Sequence, residues 1–270
     1  MRIAFLGGGN MAAALIGGLI ARGTDARDLS VIEVNDAARE RLVARFPVRV
    51  STAPDAGLLE ADTLVLAVKP QDMRAALSAL GGELGARLVI SVAAGVRLET
   101  LSRWLGGHTR IVRAMPNMPA LIGMGITGLY AAASVDAKER ARAEAVLAAV
   151  GEVVWVDAEA LLDPVTAVSG SGPAYVFWFI EQLAAAGEKL GLSPQAAAKL
   201  AIATVRGAAE LAARSDQSPS TLREQVTSTG GTTAAALAVM AEEGMAARLA
   251  RAVEAASRRG ETLGRELDDA

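Results

Sequence analysis

Residues 2–12 read RIAFLGGGNMA. The apolar run Ile3–Leu6 has the length and composition of a short buried strand, and a helical stretch begins at Asn10. The glycines between them match G-x-G-x-x-A. Gly7 makes the turn, Gly9 lets a pyrophosphate approach the backbone, and Ala12 lets the helix pack closely on the sheet. The next strand ends at Glu33, about 20 residues after Ala12, where an acid hydrogen-bonds the adenosine ribose. An acid there repels a 2′-phosphate, Asp36 adds to the repulsion, and no arginine precedes Arg39 as a phosphate partner. The residues therefore lean toward NAD(H), while Asn35 beside them can still donate a hydrogen bond.

Outward from this unit the same rhythm continues. Strands are expected at Ile3–Leu6, Leu29–Glu33, Val48–Val50, Thr63–Ala67, Leu88–Ser91, Ile111–Ala114, Gly125–Tyr130 and Glu152–Val156. Helices are expected at 10–22, 36–45, 70–80, 97–105 and 137–150. Most of the strands are β-branched runs bounded by Gly, Pro or charge, as in a buried parallel sheet. The fold class is α/β, an N-terminal Rossmann-type doubly wound sheet followed by an all-helical region. Cofactors bind beyond the carboxyl ends of such strands. That places Ala67, Val68, Lys69 and Pro70, the turn 91–95 and Asn117 in the rigid segment 113–119 among the candidate linings. Lys69 reads equally well as a solvated loop lysine.

After Asp163 the strand pattern stops. Helices are expected at 173–190, 194–213, 220–226, 232–244 and 245–267, which sets domains at 1–160 for the dinucleotide and 161–270 for helical dimerisation and substrate. Alanine-rich stripes on these helices exceed what one small bundle must bury. An intertwined homodimer accounts for them, with close helix packing inside a monomer as the alternative.

Composition narrows the chemistry. With 52% apolar residues the chain builds a substantial core, and a formal net charge of -3 with dispersed basic residues points away from nucleic acid and anionic membranes. There is no cysteine, and the single histidine is His108, so thiolate and histidine-cluster metal chemistry are excluded. No signal peptide or transmembrane run is legible, and a cytoplasmic setting is the expectation. His108 follows two glycines and reads as a loop residue.

Residues 226–237 read VTSTGGTTAAAL. Adjacent glycines let backbone N–H groups turn outward, and the helix start adds unpaired N–H groups and a positive dipole end. The result is a small anion site beside hydroxyls, suited to a carboxylate.

Six strings occur in one order along the chain: LGGGNMAAAL, LAVKPQD, SVAAGV, RAMPNMPA, TAVSGSGPAYVFWFIE and REQVTSTGGTTAAAL. Together they resemble the pyrroline-5-carboxylate reductase family, over nearly the whole chain, and the last two strings are the specific ones. The resemblance implies reduction of the cyclic imine 1-pyrroline-5-carboxylate to L-proline by NADP(H) or NAD(H). It also implies a homodimer, in the family often assembled further into a decamer as a pentamer of dimers, with no metal. Carried over by motif, Leu6, Gly7, Gly8, Gly9, Asn10, Met11, Val68, Lys69 and Ala94 contact the cofactor. Ser228, Gly230, Gly231, Thr232 and Thr233 hold the substrate. This chain departs from the family pattern at Glu33, Val34 and Asp36, where Ser, Thr, Asn or Arg is common, and also at Pro54 and Asp216.

The chemistry this implies suits the residues. A protonated imine loses charge when hydride arrives, so no strong acid is required, only alignment and a partner for nitrogen. Thr233 is the candidate for that partner; the competing reading has its hydroxyl bonded to its own helix backbone. The 169–173 segment reads as architectural and Tyr175 as packing. Two rivals are a hydroxyacid dehydrogenase, whose lysine would be Lys189 or Lys199, and a nucleotide sensor without turnover.

Overall fold

The computed structural model describes residues 1–55, 58, 60–80 and 84–268. Among these, eight strands alternate with helices: β1 Ile3–Leu6, β2 Leu29–Ile32, β3 Arg49–Ser51, β4 Thr63–Leu66, β5 Leu88–Ser91, β6 Ile111–Met115, β7 Gly125–Ala131 and β8 Gly151–Trp155. The intervening helices are α1 Asn10–Ala21, α2 Asp36–Arg45, α3 Pro70–Ala79, α4 Leu98–Trp104 and α5 Ala137–Ala148. Element ends differ from the sequence expectation by about one or two residues, the usual fraying range.

The strands form one sheet in the order β3-β2-β1-β4-β5-β6-β7-β8. Alternate residues feed opposite apolar layers. Ile3 and Phe5 join one core with Leu15, Ile16 and Leu147, whereas Ala4 and Leu6 join the other with Leu66, Met73 and Leu101. Both faces of the central strands are buried, which is why their sequences read as continuous apolar runs.

One strand departs from the parallel pattern, for β7 pairs antiparallel with β6. The connection between them is a short 3-10 turn, Met118–Ile122, ended by Gly123 at φ 72°. So short a link closes a reversal and cannot make a crossover, which needs a dozen or more residues. With α5 as a true crossover, β8 again runs parallel to its neighbour β7.

The chain forms two compact units, Met1–Ser171 with Ala256–Ala270, and Gly172–Ala255. The division thus falls later than the expected 160/161 boundary, and the chain end returns to the first unit. Packing accounts for both features. The helical turn Leu162–Val165 and the π-helical turn Thr166–Gly170 pack with the sheet, with Leu162 and Ala167 buried. At the other end Leu267 packs into the second core layer, and Arg103 donates to the Asp268 carbonyl at 2.8 Å.

The second unit contains α6 Gly172–Lys189, α7 Pro194–Arg214, α8 Pro219–Gln225, α9 Thr232–Glu242 and the first half of α10 Met245–Asp268. Ser193 and Ser218 cap α7 and α8, each with proline in the first turn. Among the described residues of this unit only Ala197 and Ala201 are buried hydrophobics. Its large side chains remain exposed, Phe177 at 56% and Trp178 at 57%.

Candidate active site

Parallel register aligns Leu6 with both Ile32 and Leu66, and Leu66 with Ser91, so the loops after β1, β2, β4 and β5 leave the same edge of the sheet. The glycine loop is shaped by its neighbours. Gly7 has φ +97°, and a Cβ there would stand 2.8 Å from the Ala67 carbonyl carbon and from Val68 Cγ1. Gly9 is the reverse case, since a Cβ on it would meet nothing within 4 Å. That open space fits the close approach of a pyrophosphate. Gly9 starts α1 with no side-chain cap, leaving first-turn N–H groups for an anion. Gly9 and Asn10 are exposed, Met11 packs at the core edge and Ala12 is fully buried against the sheet.

Gly8 does something the motif does not specify. Its N–H donates to Glu33 Oε2 at 2.7 Å, while the Asn35 N–H donates to Glu33 Oε1 at 2.7 Å. A Cβ on Gly8 would collide with Leu42 and crowd Glu33, so the middle glycine is required by packing. Asn35 caps α2, its Oδ1 accepting from the Ala38 N–H at 2.9 Å, so that oxygen serves the helix. On the neighbouring loops Ala67 and Val68 are half-buried, Lys69 is exposed and Pro70 opens α3, while Ala94 is exposed after β5.

Asn117, expected among the cofactor linings, has both ends of its amide engaged within the protein. It is 8% exposed; its Oδ1 accepts from the Ile126 N–H at 3.0 Å and its amide donates to the Ser169 carbonyl at 3.1 Å. The side chain is a clamp between the β6–β7 turn and the π-helical turn. Ser169 also returns its hydroxyl to the Val165 carbonyl at 2.9 Å, as an architectural residue does.

In the second unit the VTSTGGTT segment forms a turn leading into α9. Gly230 has φ +70°, and the Gly231 N–H donates to the Ser228 carbonyl at 3.0 Å. That bond uses the N–H of Gly231, one of the expected carboxylate donors, within the turn itself. The first helical bond runs from the Ala235 N–H to the Gly231 carbonyl at 3.2 Å, and no side chain caps the helix. The N–H groups of Thr232 and Thr233 thus have no backbone partner among the described residues. Several other helices use a side chain at this position, with Asn35, Asp136, Ser193 and Ser218 capping theirs.

The Thr233 hydroxyl is likewise unbonded among the described residues. Thr166, Thr227 and Thr262 return their hydroxyls to the carbonyl four residues back, at 2.7, 2.6 and 2.9 Å. Thr233 is half-buried in the first turn and does not, whereas Ser228, Gly230 and Thr232 are exposed.

One group escaped sequence reasoning. Arg113, on β6, pairs with Glu159 at 2.7 Å, and the same Glu159 oxygen accepts the first N–H of α4, that of Leu98, at 2.7 Å. Beside them, burial pushes the Asp163 carboxyl above its ordinary range against the pull of Arg113 and Arg97. No local motif signals a partnership between residues this far apart in sequence.

A family model described as pyrroline-5-carboxylate reductase dimerisation matches residues 159–263, and one described as NADP oxidoreductase, coenzyme F420-dependent, matches residues 2–95. Over 267 residues the chain is 44% identical to a pyrroline-5-carboxylate reductase of Pseudomonas aeruginosa, spanning 98% of each chain. The chain belongs to the pyrroline-5-carboxylate reductase family. The Synechocystis reductase is 42% identical, covering 98% of this chain and 99% of that one. A solved pyrroline-5-carboxylate reductase from Coxiella burnetii superposes with a TM-score of 0.92 at 40% identity, covering 97% of this chain and 98% of that one. A Plasmodium falciparum pyrroline carboxylate reductase with NADP bound is 28% identical with a TM-score of 0.85, covering 98% of each chain. Among the described residues no helix is long and apolar enough to cross a membrane.

Proposed function

We propose that this chain reduces 1-pyrroline-5-carboxylate to L-proline with NAD(P)H, the last step of proline synthesis, in the cytoplasm. The observation that carries this reading is 44% identity over 98% of the chain to a relative of that name. Helix starts without a side-chain cap at Gly9 and at Gly231 support it, with one anion site for a pyrophosphate and one for a carboxylate.

A reduced nicotinamide supplies the hydride when bound. Gly7, Gly9 and the first turn of α1 hold the dinucleotide, Glu33 takes the ribose, and the loops at Ala67–Pro70 and Ala94 line the remainder. In the second unit the Ser228 hydroxyl and the Thr232 and Thr233 N–H groups hold the substrate carboxylate. The Thr233 hydroxyl bonds the ring nitrogen. The ring carbon of the protonated imine accepts the hydride, the C=N π pair moves to nitrogen, and the positive charge is discharged. No oxyanion develops, so hydroxyls and N–H groups suffice. Orientation carries the rate, and it is worth about 7–11 kcal/mol when reacting atoms are held in line.

The working form in this reading is a homodimer, assembled further as a pentamer of dimers. Exposed Phe177, Trp178 and Phe179 on α6, in a unit with almost no buried side chains of its own, support a second copy as their cover. The sheet-bearing first unit then serves the cofactor, and the helical unit Gly172–Ala255 serves the substrate and the dimer. The test is absorbance at 340 nm with purified protein, pyrroline-5-carboxylate and either cofactor, alongside light scattering for mass. Turnover supports the reductase; activity only on hydroxyacids, or cofactor binding without turnover, overturns it.

A further inference from the structure

The loop after β2 carries a charge arrangement that bears on cofactor choice. Glu33 is held by two backbone N–H groups, one on each carboxylate oxygen, from Gly8 on the glycine loop and Asn35 on its own loop, each at 2.7 Å. The carboxylate is therefore fixed at the end of β2, against the turn that receives the dinucleotide. Each oxygen keeps a further acceptor position after accepting one N–H. A ribose with two free hydroxyls can donate to those positions. A 2′-phosphate brings negative charge and acceptors to a place that already holds both.

Arg39, the first cation after Glu33 in the sequence, is already engaged. It donates from Nη1 to the Glu33 carbonyl at 3.1 Å and to the Val34 carbonyl at 2.9 Å, and its Nη2 pairs with Asp36. Its guanidinium braces the loop through these carbonyls and is paired with Asp36. Nothing between Glu33 and Arg39 is left to balance a phosphate, since residues 34–38 are Val, Asn, Asp, Ala and Ala.

We infer that the Gly8–Glu33–Asn35 clamp makes this chain select NADH over NADPH, with Glu33 as the specificity-determining residue. The glycine at the middle position of the loop is part of the device, for a Cβ there would collide with Leu42 and crowd Glu33. The inference deepens the dinucleotide reading of the first unit and rests on it, but not on the identity of the imine substrate.

The test is equilibrium binding of NADH and NADPH to the full-length protein by calorimetry, without substrate, repeated with Glu33→Gln. The expected result is NADH binding at least tenfold tighter in the wild type. In E33Q that ratio should shrink several-fold, because the amide keeps an acceptor while losing the charge. A purely structural role for Glu33 would weaken both cofactors alike and leave the ratio unmoved, which overturns the inference. NADPH binding as tightly as NADH in the wild type overturns it without any variant. Failure of both cofactors to bind overturns the dinucleotide reading itself, even if turnover were found with another donor.

Discussion

The Ser228 hydroxyl oxygen occupies the space that a Cβ on Gly231 would fill. The glycine is thus needed for contact rather than for backbone conformation, since Gly231 lies in the extended region at φ -80°. Gly231→Ala pushes the Ser228 hydroxyl away from the α9 start, where it would meet the substrate carboxylate. We expect KM for pyrroline-5-carboxylate to rise about tenfold or more, the scale of one charge-assisted hydrogen bond. Cofactor Kd, read by nicotinamide fluorescence, should stay where it was.

Thr233→Ala removes the hydroxyl that has no partner in its own helix. Losing one hydrogen bond worth about 1.5–3 kcal/mol in the transition state lowers kcat/KM by roughly tenfold to a hundredfold. The circular dichroism spectrum and melting point should not move, and Thr233→Ser should recover most of the rate. Unchanged kinetics in the alanine variant would remove Thr233 from the mechanism.

The outer glycines of the loop predict opposite phenotypes. Gly7→Ala forces a side chain into φ +97° and to 2.8 Å from the Ala67 carbonyl, so it destabilises the fold. The backbone conformation alone costs about 1–2 kcal/mol, visible as a lower denaturation midpoint. Gly9→Ala meets nothing within the protein, and its melting point should match the wild type while dinucleotide binding collapses. Thermal melts with and without cofactor separate the two.

His108, the only histidine, supplies a pH signature. Burial is the main cause that holds its imidazole below the ordinary value of 6.5. As pH falls, the unfolded chain takes up that proton first, so stability increases with pH in the window between the two values. The contribution is fully present above pH 6.5 and is lost as pH falls through the lower, folded value. The single imidazole resonance should titrate below that value, and His108→Gln should lose less melting temperature than the wild type on acidification. An imidazole titrating at or above its ordinary value would refute the assignment.

Much of the first unit was legible because its signals are local. Short β-branched runs form strands wherever both faces are covered; in the second unit, Ser193-Pro194 likewise starts a helix through its own cap and fixed φ. The G-x-G-x-x-A loop is similarly self-contained, so Gly7, Gly9 and Ala12 could be read from residues 6–12 alone. The proposed carboxylate site was legible as a type of segment but not atom by atom. Only the folded turn shows that the Gly231 N–H is used by Ser228, leaving Thr232 and Thr233 as donors.

By itself, then, the sequence determined the α/β order of elements, the dinucleotide loop, the absence of thiol chemistry and the hydroxyl-lined helix start. Tertiary structure alone decided the reversal of β7, the return of the chain end to the first unit, the use of Asn117 as a clamp and the capture of Glu33 by Gly8. Apart from the reversal of β7, these depend on partners distant in the chain, such as Asn117 with Ser169 or Gly8 with Glu33. A polar side chain has the same donors and acceptors wherever it lies. Which of them remain for a ligand depends on what the fold brings alongside, and that is a property of three-dimensional packing.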